Sequence, residues 1–511
     1  MLDLFMFAGL VLAILSGFPA AFAIAGVAML FALLGAALGV FDLSLLGALG
    51  QRVFGVITNP VLIAIPLFVF MGLVLEKSRI AEELLTTMGR LFGRTPGGLG
   101  VSVVLVGALL AASTGIVGAT VVAMGLIALP AMLKAGYAPS LGAGIVATSG
   151  TLGQIIPPST LLIILSDVMS NSYQQAQFAA GKFTIETISV GQTFAAALVP
   201  GLVLVAIYIT YLLVRAALRP SDLPALPDSG GVSARDVAVV IAPPILLILA
   251  VLGSILGGVA TPAEAAAVGA VGAIFMAGAR LGTPRIVAAG ALAFAAVAVL
   301  AARYPIRLQR DDVSASDAAV AVVAAGLLCV GVAALGLALL RLWRNDLLKP
   351  VVTGTTTVTA MIFATIITAS MFSLVFVGLG GENRIEEILN AMPGGPTGAL
   401  IFAMALIFVL GFFLDFVEIS VILLPLLVPV LITMGHDPTW LAVLIAINLQ
   451  TSFLTPPFGF SLFYLRGAAP PEVTTGAIYR GVAPFIALQA IGVAVIWLVP
   501  ALATTLPAWL Y

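Results

Sequence analysis

The chain has 511 residues, of which 62% are hydrophobic and only 8% are charged, and its mean hydropathy is +1.23. Soluble proteins carry roughly 25% charged residues, so this composition indicates an all-α polytopic membrane protein. The net charge of −1 provides no basic surface for nucleic acid, and the single cysteine, Cys329, excludes a disulfide within the chain.

Apolar runs of about 20 residues predict membrane spans. In chain order, full spans are predicted near 3–18, 20–39, 60–76, 140–165, 191–214, 237–256, 262–280, 286–303, 317–340, 352–378, 440–465 and 482–503. Two other stretches, about 97–130 and 397–430, are long enough for two passes but have glycine and polar residues at their midpoints. We interpret each as a re-entrant hairpin that enters and leaves on one side.

Two predicted spans contain a double proline, Pro157-Pro158 in 140–165 and Pro456-Pro457 in 440–465. Proline lacks a backbone N–H, clashes with the carbonyl four residues earlier and pushes the preceding residue out of the α region. The carbonyls predicted to lose their helical partners are those of Gly153, Gln154, Ser452 and Phe453. Broken backbone at membrane depth is tolerated only inside protein or beside a wet cavity, so both spans are predicted to be broken helices at a binding site.

The two halves of the chain have similar proline spacings. Pro130 precedes Pro157 by 27 residues, and Pro425 precedes Pro456 by 31. We therefore predict a first repeat over 1–218, a linker over 219–235 and a second repeat over 236–505, interrupted by a two-span insertion at about 286–340. Apart from that insertion each half has five full spans, an odd number, so the second repeat is predicted to be inverted.

Lysine and arginine positions predict the orientation, because short cytoplasmic loops carry the positive charge. With both termini outside, the basic segment 77–94, Lys134, the linker and the group at 341–349 all fall inside. The predicted outside loop 166–190 holds only Lys182, and the cluster Arg303, Arg307 and Arg310 falls outside against the rule. A separate Thr261-Pro-Ala-Glu264 pattern predicts a capped helix start there.

Several of these motifs occur together, in order, in a known family. They are Leu62–Phe68 (LIAIPLF), Gly118–Thr120, Leu129–Met132, Gly150–Ser159 (GTLGQIIPPS), Phe413–Asp415 and Thr455–Gly459 (TPPFG). The chain resembles the large membrane subunit of TRAP (tripartite ATP-independent periplasmic) transporters over nearly its whole length. The segment 286–340 has no match in the usual pattern.

The resemblance implies a bacterial inner-membrane protein with an elevator-type fold, whose partners are a small four-helix membrane subunit and a periplasmic substrate-binding protein. It implies uptake of an organic anion, often a carboxylate, driven by a sodium gradient rather than ATP. No cofactor is expected apart from Na⁺ as the coupling ion.

Freed carbonyls beside hydroxyl groups suit Na⁺, which prefers oxygen ligands. Candidate sodium- and substrate-binding residues in the first half are Ser113, Thr114, Gly115, Gly118, Thr120, Gly150, Thr151, Gly153, Pro157 and Ser159. Those in the second half are Gly411, Asp415, Glu418, Asn448, Thr451, Ser452, Thr455, Pro456 and Gly459. The alternative is that these small residues merely allow close helix packing.

Asp415 and Glu418 are the only acids within 388–436. An ionisable residue at membrane depth is expected to be functional, with Asp415 the stronger candidate because Glu418 could face the exposed side. The alternative is that a water-filled vestibule simply solvates both acids.

Two other classes of function stay open. One is a stand-alone sodium–carboxylate symporter that needs no binding protein. The other is a membrane enzyme or channel. The single histidine and the lack of an H-E-x-x-H or G-x-S-x-G motif disfavour an enzyme. Paired hairpins with broken spans favour alternating access over a channel.

Overall fold

The computed structural model describes residues 2–114, 117–226, 232–304 and 314–511. Every regular element in these residues is helical, which confirms the all-α prediction. The α-helices are α1 (Leu2–Leu15), α2 (Ala20–Ala37), α3 (Leu49–Ile57), α4 (Ala64–Lys77), α5 (Ile80–Phe92), α6 (Gly98–Thr114), α7 (Val117–Lys134), α8 (Pro139–Thr151), α9 (Thr160–Ala179), α10 (Val190–Leu218), α11 (Ala234–Asp236), α12 (Ala242–Leu256), α13 (Pro262–Arg280), α14 (Pro284–Arg303), α15 (Ala315–Arg344), α16 (Leu348–Gly378), α17 (Gly381–Asn390), α18 (Gly395–Leu410), α19 (Phe416–Glu418), α20 (Leu424–Thr433), α21 (Pro438–Leu454), α22 (Phe460–Ala468), α23 (Thr475–Leu498) and α24 (Ala501–Leu510).

Short segments of other helical types join several of these elements. The 3₁₀ turns are Leu43–Ala48, Leu152–Gln154 and Pro220–Asp222, and the π-helical turns are Val237–Ile241 and Ile419–Leu423. Ten helical segments within the described residues are long and apolar enough to cross a membrane. Two of them, Val117–Lys134 and Phe416–Thr433, are arms of the predicted hairpins.

The helix starts follow the capping chemistry of the sequence. Thr261 accepts from the backbone N–H of Glu264, whose carboxylate accepts from the Thr261 N–H at 2.8 Å, so the predicted capped start of α13 is confirmed. Asp437 caps α21 in a simpler way, accepting from the Trp440 N–H at 2.8 Å. Such caps satisfy N–H groups that have no partner within the helix.

Several helices extend beyond the predicted apolar runs. The segment 166–190 was predicted to be an outside loop, but α9 continues to Ala179. Its polar residues lower the mean hydropathy of this segment, although one side of the helix is buried. The buried residues Val168, Met169, Ser172 and Ala176 are spaced as one side of a helix. The amphipathic helices α3, α5 and α17 were missed for the same reason, because polar residues dilute their hydropathy.

The predicted insertion forms two helices that pack on each other and on α13. Gly290 of α14 lies against Ala334 of α15, and Gly278 of α13 lies against Ala338. The hydrophobic residues around this contact are partly separate from the main core. The loop of the insertion, with Arg307 and Arg310, lies outside the described residues.

The centre of the molecule is built around α8 and α21. Every residue from Leu141 to Thr151 and from Trp440 to Leu454 is buried. Small residues allow this arrangement: a Cβ at Gly144 of α8 would collide with the carbonyl oxygen of Gly481 in α23. The helices therefore touch backbone to backbone, as small residues permit in membrane proteins.

We predict that Gly144→Ala lowers the free energy of unfolding by about 1–3 kcal/mol, because the added methyl group forces α8 away from α23. The matched control is Gly326→Ala in α15, where a Cβ meets no atom within 4 Å. Thermal unfolding of the purified chain in detergent measures both. An equal effect of the two substitutions would contradict the close packing of α8 on α23.

Candidate functional site

The first helix break lies between α8 and α9. Helix α8 ends at Thr151, the 3₁₀ turn follows, and the chain passes through a cis Pro157–Pro158 bond before α9 begins. The hydroxyl of Ser159 donates to the carbonyl oxygen of Gln154 at 3.1 Å. A serine directly after the prolines thus replaces the backbone donor that the prolines remove.

The second break, between α21 and α22, is built in a similar way. The peptide bond Pro456–Pro457 is also cis, and the hydroxyl of Ser461 donates to the carbonyl oxygen of Phe453 at 2.7 Å. The Thr455 N–H donates to the Ser452 carbonyl at 3.2 Å. Ser461 was not among the predicted residues, although a serine shortly after a helix break can supply a replacement donor.

These contacts correct one expectation about the freed carbonyls. Those of Gln154, Ser452 and Phe453 each have a donor in the protein. Each oxygen keeps a second lone pair, so it can still face a ligand, but the ligand is not its sole partner. These three carbonyls are therefore not left without a donor at the breaks.

The two broken helices meet through one side-chain contact. Gln450 of α21 donates from Nε2 to the Oγ1 of Thr151 in α8 at 3.3 Å, and Thr151 donates in turn to the Thr148 carbonyl at 2.8 Å. The predicted first-half and second-half sites are therefore adjacent at this point. Gln450 was missed because it lies six residues before its double proline, outside the motif.

Two buried amides at this junction are incompletely bonded. Neither side-chain atom of Gln154 has a hydrogen-bond partner among the described residues, and neither has the Oε1 of Gln450. Both side chains are at most 1% exposed. An unsatisfied buried polar group costs about 1–3 kcal/mol, which favours a water molecule or polar ligand at this position.

The predicted hydroxyl residues of α21 are occupied as donors and remain available as acceptors. Thr451 donates to the Ile447 carbonyl, Ser452 to that of Leu449 and Thr455 to that of Thr451, each at 2.8 Å. Asn448 donates to the Met404 carbonyl at 2.8 Å and so attaches α21 to α18. A hydroxyl that donates its hydrogen to a backbone carbonyl keeps its oxygen lone pairs available, and these lone pairs can coordinate a cation.

The first hairpin contacts both breaks through glycine. A Cβ at Gly118 would lie 2.9 Å from the Tyr464 ring of α22, and a Cβ at Gly150 would collide with Val121 of α7. Thr120 of α7 and Gly153 of the 3₁₀ turn after α8 are both buried. Ser113 and Thr114 end helix α6, while Gly115 lies outside the described residues.

In the second hairpin, the two acids form the start of α19. Asp415 accepts from the Phe416 N–H, and Glu418 accepts from the Asp415 N–H, each at 2.8 Å. Glu418 is 7% exposed, so the expectation that it could face the exposed side is wrong. The alternative in which a vestibule solvates both acids fails for Glu418, whereas Asp415 is only partly buried. The paired caps stabilise the helix start at which the hairpin reverses.

A glycine also brings the second hairpin close to its broken helix, since a Cβ at Gly411 would collide with the Ser452 side chain. Within the break itself, a Cβ at Gly459 would lie 2.5 Å from the Phe453 carbonyl oxygen. No group of three or more His, Cys, Asp or Glu side chains in the described part of the chain could hold a metal ion. The oxygen groups near this contact are hydroxyls, amides, carbonyls and the carboxylates of Asp415 and Glu418.

The family described as "Tripartite ATP-independent periplasmic transporter, DctM component" matches residues 7–302 and 288–502. The C4-dicarboxylate TRAP transporter large permease protein of Pseudomonas aeruginosa is 28% identical over 466 residues, 91% of this chain and 90% of that one. The ectoine TRAP transporter large permease protein of Halomonas elongata is 24% identical and covers 89% of this chain and 87% of its own.

A third relative is the isethionate TRAP transporter permease protein DctMQ of Oleidesulfovibrio alaskensis. It is 26% identical over 88% of this chain and 59% of its own length. Among solved structures, the Alcanivorax borkumensis YdaH transporter aligns with a TM-score of 0.53 at 14% identity, covering 91% of this chain and 88% of its own. At that identity the likeness concerns the fold alone.

We predict that Ser461→Ala destabilises the chain by about 1–3 kcal/mol, because the buried Phe453 carbonyl then loses its replacement donor. Ser254→Ala is the matched control, since the Ser254 hydroxyl donates at 2.8 Å to a carbonyl inside the continuous helix α12. Thermal unfolding in detergent should separate the two variants clearly. A Ser461→Ala protein as stable as the control would show that the break does not need this hydroxyl.

Proposed function

The chain belongs to the family of DctM components of tripartite ATP-independent periplasmic transporters, and on that premise we propose that it imports an organic anion by sodium-coupled, elevator-type alternating access. It is a multi-pass inner-membrane permease subunit and not an enzyme. The proposed part is the coupling ion, the substrate class and the inverted arrangement of the two repeats.

The observation that carries sodium coupling is the oxygen-rich junction where α8 meets α21. Thr151, Gln450 and Gln154 converge there with incompletely bonded amide atoms in a fully buried setting. Unwound backbone beside such oxygens is how secondary transporters hold Na⁺ near the bilayer midplane. The donors present fit a hard, monovalent cation better than a thiolate- or imidazole-bound metal.

The relatives support the partner and substrate classes. Their names specify large permease proteins for C4-dicarboxylate and ectoine, and a fused permease for isethionate. We propose that this chain works with a small four-helix membrane subunit and a periplasmic binding protein that delivers an organic anion. Both termini and position 436 are proposed to be periplasmic, and position 134 cytoplasmic.

We predict that uptake requires sodium, accelerates at inside-negative potential and ignores ATP. If two Na⁺ accompany a monoanion, one net charge enters, and 100 mV then supports roughly a 40-fold substrate gradient. Thr151→Val and Thr455→Val keep the side-chain shape but remove an oxygen, so each should raise the sodium concentration for half-maximal uptake more than it lowers expression. Asp415→Asn should do the same if its charge helps to hold the ion.

The measurement is radiolabelled substrate uptake into proteoliposomes over a sodium titration. Thr210→Val is the matched control, because this hydroxyl is exposed on α10 and donates to the carbonyl of Ala206 at 2.7 Å. Unchanged uptake in sodium-free buffer would overturn the assignment of sodium to the helix breaks.

A second prediction distinguishes this subunit from a stand-alone symporter. The purified chain reconstituted alone should not concentrate substrate, and uptake should appear only after the small subunit and the loaded binding protein are added. Robust uptake by the chain alone would favour the stand-alone sodium–carboxylate symporter instead.

A further inference from the structure

Tyr464 of α22 is in contact with the first hairpin and was not among the predicted site residues. A Cβ at Gly118 of α7 would lie 2.9, 3.0 and 3.2 Å from the Cζ, Cε2 and Cε1 atoms of the Tyr464 ring. Two turns further along α7, a Cβ at Gly125 would lie 3.0 Å from the Cβ of Ala468. Residues seven apart share one face of a helix, so these two glycines allow α7 to pack closely on α22, with the Tyr464 ring at one end of the contact.

The second hairpin approaches the same side chain from its tip. The ring centroids of Phe413 and Phe458 are 5.5 Å apart, which joins this tip to the helix break directly before α22. Asp415, two residues after Phe413, is close enough to interact electrostatically with the Tyr464 hydroxyl. Tyr464 is therefore a side chain at which both hairpins meet.

The Tyr464 hydroxyl is available as a hydrogen-bond donor. Among the residues that the structure describes it has no hydrogen-bond partner, whereas the Tyr173 hydroxyl donates to the Glu186 carboxylate at 2.9 Å. Tyr464 is 43% exposed, so the core does not fix the position of its hydroxyl. A phenol O–H that points toward a carboxylate stabilises the charged form of that carboxylate, and such charge-assisted contacts are stronger than those between neutral groups.

We propose that Tyr464 is a positioning residue that couples the two hairpins: its hydroxyl stabilises the Asp415 carboxylate when no cation is bound, and a bound cation takes over that role. The phenol and the cation then compete for one carboxylate. When the cation displaces the hydroxyl, the ring that supports Gly118 is free to shift, so the first hairpin responds to an ion held by the second. This inference rests on the proposed function, because it requires Asp415 to help hold the coupling ion.

The first test measures the binding of radioactive Na⁺ to the purified full chain, with choline chloride holding the ionic strength constant. We expect Tyr464→Phe to lower the half-saturating Na⁺ concentration about threefold, because the cation no longer competes with the hydroxyl. In an Asp415→Asn background the same substitution should have no further effect. The matched control, Tyr173→Phe, removes a phenol that donates to a carboxylate away from the hairpins and should leave this concentration unchanged. A merely structural role of Tyr464 would raise this concentration or leave it unchanged.

Thermal unfolding in detergent tests the contact with the first hairpin separately. Gly118→Ala should lower the unfolding temperature by about 2 °C, because the added methyl group meets the Tyr464 ring. Adding Tyr464→Leu should recover most of this loss, whereas adding Tyr464→Phe, which keeps the ring, should recover none of it. Gly125→Ala is the control, since its Cβ meets Ala468 and Leu465 instead, and Tyr464→Leu should not relieve its loss. If Tyr464→Leu does not fold, Tyr464→Met takes its place.

Either of two results would overturn the inference in a chain that binds Na⁺. One is a half-saturating concentration that Tyr464→Phe raises or leaves unchanged, and the other is additive losses from Gly118→Ala and Tyr464→Leu. The proposed function fails differently, through sodium-independent uptake and the absence of saturable Na⁺ binding by the unsubstituted chain. The two failures are therefore distinguishable.

Discussion

The structure depends on one constraint, namely that a helix broken inside a buried core must still satisfy its backbone polar groups. Two double prolines break α8–α9 and α21–α22, and the helices that lead into the breaks are buried from Leu141 to Thr151 and from Trp440 to Leu454. Solvent therefore does not replace the missing N–H groups for the last carbonyls of these helices. Serine hydroxyls take over that role, from Ser159 to the Gln154 carbonyl and from Ser461 to the Phe453 carbonyl. The breaks are thus stable parts of the protein and present partly used oxygens to the centre of the molecule.

Side-chain amide atoms without a hydrogen-bond partner lie where the two breaks meet. The Gln450–Thr151 contact joins the halves of the chain directly, and the Gln154 amide beside the first break has no partner among the described residues. Two independent ion sites would not require such a contact. A change in geometry at one break can therefore reach the other break through this contact.

Helix α9 connects this junction to elements that are distant in the sequence. The helix carries the first break at its start and Asp167 and Asn171 further along, and Gln175 donates to Glu382 of α17 at 2.7 Å. Asn59 binds the same helix from the α3–α4 turn. A displacement of α9 would therefore alter these contacts and the helix break together.

The sequence by itself determined the membrane class, the family, most of the helices and both helix breaks, because proline chemistry and long apolar runs act locally. The capped start at Thr261 and the two double prolines were predictable for that reason. Only the tertiary structure decided which polar groups meet. It buried Glu418, placed Gln450 against Thr151 across 299 positions of chain and supplied Ser461 as a donor. Each of these depends on how helices distant in sequence pack, and small residues such as Gly144 and Gly481 control that packing without any periodic pattern of their own.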